Sequence, residues 1–376
     1  MVNFDNAATT FPKPETVTAA MEEALLKYGG NPGRSGHKLS LQTAEAVYSA
    51  RKICADFFGA EPENIVFTLN CTHALNYAIK GAMRENGHII TSDLEHNSVI
   101  RPINSLAKNG VEYSIAHIFP DDEKTLCSFE ELIRPDTKLI VCTAASNVTG
   151  QRLPIEQIAK LCDRKNICFI VDAAQGAGVI PIKIGGGINF ICAPGHKGLY
   201  GPSGTGILVS DGKYSLKPII EGGTGSLSMD KEQPDFLPDA LESGTVNTAG
   251  IYALGKGVEF VMQTGLTEIF CHEEMLCQRF FRGLQKIGGT KAYRQRGALY
   301  VPIVSFNAEG FTSNELASLL GDEGFCLRGG LHCAGTAHTA IGTAPDGTVR
   351  FAPSVFSTAK EVDDLLSCLK KILQKP

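Results

Sequence analysis

A chain of 376 residues exceeds what one hydrophobic core usually serves, so two domains are expected. Its 43% hydrophobic and 20% charged residues are those of an ordinary globular protein, and a formal charge of -5 excludes a general nucleic-acid binder, which carries a basic excess or stripe. The opening MVNFDNAATT has no cationic or apolar leader region and no apolar run reaches membrane-spanning length, so no membrane association and a cytoplasmic location are expected.

Along the first two thirds, β-rich apolar runs are predicted at 65–67, 87–91, 111–118, 138–143, 167–171, 188–192 and 205–209. Helix-period stretches fall between several of them, at 72–83, 97–108 and 154–165. Strands without strict alternation, separated by helices, imply an α/β fold with a mostly parallel central sheet covered on both faces. In such sheets the ligand lies beyond the carboxyl ends of the strands. After Asn247 the pattern changes to one long predicted helix over 250–287, short strands at 301–306 and 348–351, and a last helix over 359–373. The expected division is a large domain over 16–249 and a smaller α+β domain over 250–376, joined by residues 1–15.

Chemistry-bearing residues gather at the predicted strand ends. The run ICFIVD closes at Asp172, followed shortly by Gln175; KLIVCTAASN closes near Asn147; INFICAPGHK closes at His196 and Lys197. In ICAPGHKGLYGP the glycines strip bulk from around Lys197, and a desolvated lysine is a better nucleophile because the neutral amine is favoured. A surface lysine in a Gly/Pro turn is the ordinary alternative. Asp172 is read either as a helix cap or as the partner of a cofactor's pyridine nitrogen. The convergence of carboxylate, amide, imidazole and lysine on one edge favours pyridoxal phosphate. His96, in DLEHNSV, lies between a predicted strand and helix and is placed flat against the ring, the alternative being a solvent-facing helix-start histidine. Thr72 and His73 open another predicted helix, whose N-terminal N–H groups suit a phosphate; Thr72 is also read as its N-cap.

Taken in order, DNAATT (5–10), NPGRSGH (31–37), EHN (95–97), SNVTG (146–150), VDAAQ (171–175), GHK (195–197), ESGTVN (242–247) and RGGLHCA (328–334) resemble fold-type I, class V aminotransferase-like enzymes of the cysteine desulfurase and selenocysteine lyase group. The resemblance runs almost end to end. It implies that Lys197 carries pyridoxal phosphate as a Schiff base, with Asp172 on the pyridinium, His96 on the ring face, and Asn147 and Gln175 at the ring's edge and phenolic oxygen. Thr72, His73 and His196 would cup the phosphate. Thr245 would reach the phosphate of a neighbouring subunit, making the active unit a homodimer.

Cys333 matches the family's sulfur-accepting nucleophile on a short loop. Arg328 and His332 would supply its electropositive setting. Among twelve cysteines without a CxxC pair, the ordinary expectation is a core thiol in a reducing compartment, with disulfides improbable and no metal site. Its place in RGGLHCA reverses that expectation. Arg350 matches the arginine that clamps the substrate carboxylate, and Arg328, Asn147, Arg34 and His37 complete the substrate set.

The chain also departs from the pattern. Pro194 stands where a phosphate-binding serine is usual, which removes a charge-assisted hydrogen bond of roughly 1.5 to 3 kcal/mol or leaves it to another residue. Gly198 is an extra residue, Leu331 replaces the first histidine of an HHC segment, and His73 replaces a common acidic residue. The expected activity is removal of sulfur from L-cysteine as a persulfide on Cys333 with release of L-alanine, to be passed to a sulfur or selenium acceptor protein. The alternatives are a lyase acting on L-selenocysteine, a transaminase or epimerase of the same fold that does not need Cys333, and a non-catalytic sulfur carrier.

Overall fold

The computed structural model describes residues 1–33, 36–83 and 86–374. Strand β1 (Val2–Asn3) and helices α1 (Glu15–Lys27) and α2 (Lys38–Phe58) come first. A central sheet follows, built from β2 (Ile65–Thr68), β3 (His88–Ser92), β4 (Glu112–Ala116), β5 (Thr137–Thr143), β6 (Cys168–Asp172), β7 (Phe190–Pro194) and β8 (Gly206–Ser210). Helices α3 (Cys71–Ala82), α4 (Asn97–Ala107), α5 (Asp122–Glu131) and α6 (Ile155–Lys165) occupy its crossovers.

The strand order is β2-β8-β7-β6-β5-β3-β4. Only β8 runs antiparallel to its neighbours, so the sheet is mostly parallel, as expected. Burial explains the continuous apolar runs: every residue of β2, β3, β6, β7 and β8 is buried, because helices cover both faces. Helix α6 meets the sheet with Ile155, Ile158, Ala159, Leu161 and Cys162, a helical stripe.

The rest comprises α7 (Thr248–Thr264), α8 (Leu266–Leu284), β9 (Thr290–Ala292), β10 (Val304–Ala308), α9 (Ser313–Asp322), β11 (Phe325–Cys326), α10 (Gly335–Ala340), β12 (Val349–Phe351) and α11 (Ala359–Leu373). Strands β12, β10 and β9 form an antiparallel sheet whose core includes Phe280, Phe306 and Phe351. Phe4 joins that core from the N-terminal segment, and β1 pairs with β11. The single helix expected over 250–287 is two helices. Gly265, with φ 91, caps the end of α7 and the start of α8, a conformation open to glycine and costly for other residues. Among the described residues no helix is long and apolar enough to cross a membrane.

Candidate active site

The parallel strands end on one edge, and a cavity of about 800 Å³, its open mouth included, lies there. Its lining contains Thr72, His96, Asn147, Asp172, Gln175, His196, Lys197, Arg328 and Arg350, so most of the sequence-predicted residues come together. Each arrives for a local reason. Asp172 is the last residue of β6, and His196 and Lys197 follow directly on β7. His96 caps α4: its Nδ1 accepts the Ser98 backbone N–H at 3.0 Å.

Asp172 is 2% exposed. Burial pushes its carboxyl up, and the Ala174 N–H at 2.9 Å, the nearby Lys197 charge and the Cys71 thiol at 3.5 Å oppose that shift. Burial, then Arg350, pulls the Lys197 amine down, with Asp172 opposing. The outcome is a lysine with a larger neutral fraction than in water, beside an anion that keeps the cavity from being purely cationic. His96 and His196 are both held down to about 4, chiefly by burial and then by Lys197, so both rings are neutral near pH 7.

The expectation that Thr72 caps α3 is corrected. Asn70 is the cap, accepting the His73 N–H at 2.9 Å, and Thr72 lies inside the first turn. His73 does not join the cavity. Its ring packs on Tyr77, 4.6 Å between centroids, and lines a separate hollow that also contains Thr245. His37 caps α2 on the surface and accepts the Ser40 N–H, away from the cavity. Arg34 lies outside the described residues.

The thiol loop is built from unusual backbone. Gly330, His332 and Cys333 all have positive φ, at 96°, 49° and 57°. Non-glycine residues hold that region only when their surroundings fix them. Here the Cys333 carbonyl accepts the Asn97 N–H at 2.8 Å and the His332 carbonyl accepts from Asn147 Nδ2 at 2.8 Å. The His332 ring is paired with the Thr348 carbonyl at 2.9 Å. The Cys333 loop is thereby tied to Asn97 and to Asn147 of the cavity wall. Cys333 is exposed, with Arg328 Nη2 3.7 Å from its sulfur. His332 does not contribute positive charge: burial, then Arg350, holds it down to about 2, so the positive charge near Cys333 comes from arginines, Arg328 closest to the sulfur and Arg350 behind it.

Arg350 is 1% exposed. Nη1 donates to the Asn147 carbonyl at 3.0 Å, Nη2 to Asp5 Oδ1 at 2.8 Å, and Nε has no partner among the described residues. A guanidinium has five N–H groups, so hydrogens remain for a carboxylate. Gln175 Nε2 donates to the Ala7 carbonyl at 3.0 Å, which ties DNAATT to the cavity wall. Sequence reasoning missed Cys71, Ser98 and Glu95. Cys71 and Ser98 line the cavity beside residues that were found. Glu95 lies beneath it, accepting from the Thr143 N–H at 2.9 Å and from the Ser92 hydroxyl.

Fold and donor set define a pyridoxal-phosphate site of the fold-type I kind. A family model described as aminotransferase class-V matches residues 2–365, and the chain belongs to that family. It is 30% identical to a probable cysteine desulfurase of Methanothermobacter thermautotrophicus, over 98% of this chain and 94% of the relative. The solved apo structure of the cysteine desulfurase from Thermococcus onnurineus NA1 superposes with a TM-score of 0.93 at 30% identity, covering 99% of this chain and 94% of that one. The cysteine desulfurase CsdA (S-sulfonic acid) from Escherichia coli gives 0.88 at 25% identity, over 99% and 94% of the two chains. Members of the family depend on pyridoxal phosphate, and the residues present fit it. Among the described residues, His196 Nδ1 and Asn147 Oδ1 are buried polar atoms without a partner; Asp172 offers a carboxylate for a pyridinium, and Lys197 offers the amine.

Proposed function

We propose that the chain is a cysteine desulfurase that transfers the sulfur of L-cysteine to Cys333 and releases L-alanine. The observation that carries this reading is an exposed thiol beside Arg328, on a loop pinned to Asn97 and Asn147 at the rim of the Lys197 cavity. A transaminase has no use for that arrangement.

Bound through Lys197, pyridoxal phosphate supplies a sink for the electrons left at the substrate Cα. Asp172 would hold the ring nitrogen in its charged form, and the neutral His96 imidazole would offer a flat surface to the ring. Arg350 binds the substrate carboxylate with its remaining N–H groups. Released by the substrate, the Lys197 amine takes the Cα proton, a task its lowered basicity suits near neutral pH. Cys333 then acts as a thiolate on the substrate's sulfur. Its S–S bond would form as the Cβ–S bond breaks; the bonding pair stays with Cβ, which takes up a proton, Lys197 returns the proton it held to Cα, and the product leaves as alanine.

An exposed Cys333 also suits hand-over of the persulfide sulfur to an acceptor protein. Twelve cysteines with no disulfide among the described residues accord with a reducing, cytoplasmic compartment. A homodimer is supported by two features. Asn31 Nδ2 meets Thr245 Oγ1 at 3.4 Å, uniting in one surface patch the two segments expected to complete a partner's site. Leu25, Leu26, Leu39, Leu41 and Tyr48 of α1 and α2 are exposed, an apolar surface of the kind that a subunit covers.

The test is turnover on L-cysteine and on L-selenocysteine side by side, with alanine measured from both. Alanine from cysteine is expected at a rate that matches sulfur released to a thiol. Turnover of selenocysteine alone would replace this reading with the lyase.

A further inference from the structure

One wall of the cavity holds a run of hydroxyls to which the reaction above assigns nothing. Ser98 Oγ lies 2.7 Å from Thr72 Oγ1 and 2.8 Å from His96 Nδ1, and all three residues line the cavity. Ser98 is itself buried, at 8% exposed. His96 Nδ1 also accepts the Ser98 backbone N–H. A ring nitrogen that accepts carries no proton, so the neutral imidazole keeps its hydrogen on Nε2. Nδ1 therefore cannot donate to Ser98.

The Ser98 hydroxyl has one hydrogen and two takers: Nδ1, already served by a backbone N–H, and Thr72 Oγ1. Thr72 stands in the first turn of α3, where helix N–H groups without intrahelical partners favour an anion. Strand β7 brings Pro194 to the same cavity, and proline has neither hydroxyl nor N–H to give.

We propose that Ser98 is a positioning residue for the phosphate group: its hydroxyl donates to Thr72 Oγ1 and so turns the Thr72 O–H toward the anion. A hydroxyl that accepts one hydrogen bond donates a stronger one, so the pair binds better than Thr72 alone. Without an anion the run points the other way, from Thr72 through Ser98 to His96 Nδ1. Phosphate reverses it by turning two hydroxyl rotors, with no change in backbone. Ser98 thus offsets from α4 what Pro194 withholds at β7.

This inference rests on the pyridoxal phosphate reading, and the experiment separates the two. The cofactor-free protein is titrated with pyridoxal phosphate and with pyridoxal, which has the same ring and aldehyde but no phosphate, as wild type, Ser98→Ala and Ser98→Thr. Failure of the wild type to favour the phosphorylated form overturns the cofactor reading itself. Given that preference, Ser98→Ala is expected to weaken pyridoxal phosphate roughly tenfold and leave pyridoxal unchanged, as for the loss of a hydrogen bond supporting a charged group. Ser98→Thr, which keeps the hydroxyl, is expected to hold the wild-type affinity. An equal loss for both ligands, no loss for either, or a loss in the Thr variant as large as in Ala overturns the role of Ser98.

Discussion

Lys197 owes its chemistry to placement: burial and Arg350 draw its basicity down while Asp172 pulls the other way. Lys13, the other lysine nearby, is lowered to about 8 by burial, but its Nζ is spent on Thr10 Oγ1 at 2.7 Å and the His196 carbonyl at 3.0 Å. Lys197→Ala is therefore expected to abolish both turnover and the covalent adduct formed when the loaded protein is reduced with borohydride. An adduct of undiminished yield at Lys13 would show that the assignment of the reactive amine is wrong. Residues of this kind were legible in the sequence because a strand end fixes where a side chain goes, and Asp172, Asn147, His196 and Lys197 all sit at or just past one. Ser98 and Cys71 were not, since an ordinary serine or cysteine acquires its role from what faces it: Thr72 for one, Asp172 for the other. His73 was misread for the converse reason, its neighbour Thr72 pointing into the cavity while its own ring turns to Tyr77.

At the scale of elements, the ends of β3 and β5 are held together by one buried carboxyl. Glu95 takes the Ser92 hydroxyl from one strand and the Thr143 N–H from the other, and these strands carry His96 and Asn147 to the cavity. Burial raises Glu95 from 4.5 to about 8, so the folded protein keeps a proton that the unfolded chain releases. The resulting contribution is complete below the unfolded value of 4.5 and is lost as pH rises toward about 8. Glu95→Gln preserves an acceptor and mimics the protonated form. Its stability in urea is expected to fall less steeply than wild type between the two values, by about 1.4 kcal/mol per pH unit at most for one proton. Parallel slopes would show that Glu95 is ionised in the folded state. The central strands were readable as apolar runs because both faces are covered. Helix α1 escaped notice because its buried face is made of small residues, with Val17, Ala20 and Ala24 inside and Leu25 and Leu26 outside. The large apolar residues therefore do not mark the core-facing stripe.

That inverted pattern acquires meaning only for the whole molecule. A leucine-rich outer face on α1 and α2, next to the Asn31–Thr245 patch, accounts for apolar surface that a lone subunit would expose to water. Light scattering at assay concentration is expected to give twice the subunit mass, and a fully active monomer would contradict it. The sequence pattern could not separate an exposed apolar face from a core-facing one, because both are apolar and the difference lies in what covers them. The loop that carries Cys333 comes from the chain's last third and is tied to the cavity wall through Asn97 and Asn147. The most direct measurement is peptide mass spectrometry after brief incubation with L-cysteine and alkylation, on the wild type and on Cys333→Ala. The account predicts one extra sulfur on the Cys333 peptide of the wild type, and an alanine variant that folds and binds the cofactor normally yet forms alanine from cysteine orders of magnitude more slowly. Undiminished alanine formation by Cys333→Ala, or the extra sulfur residing on another cysteine, would contradict it.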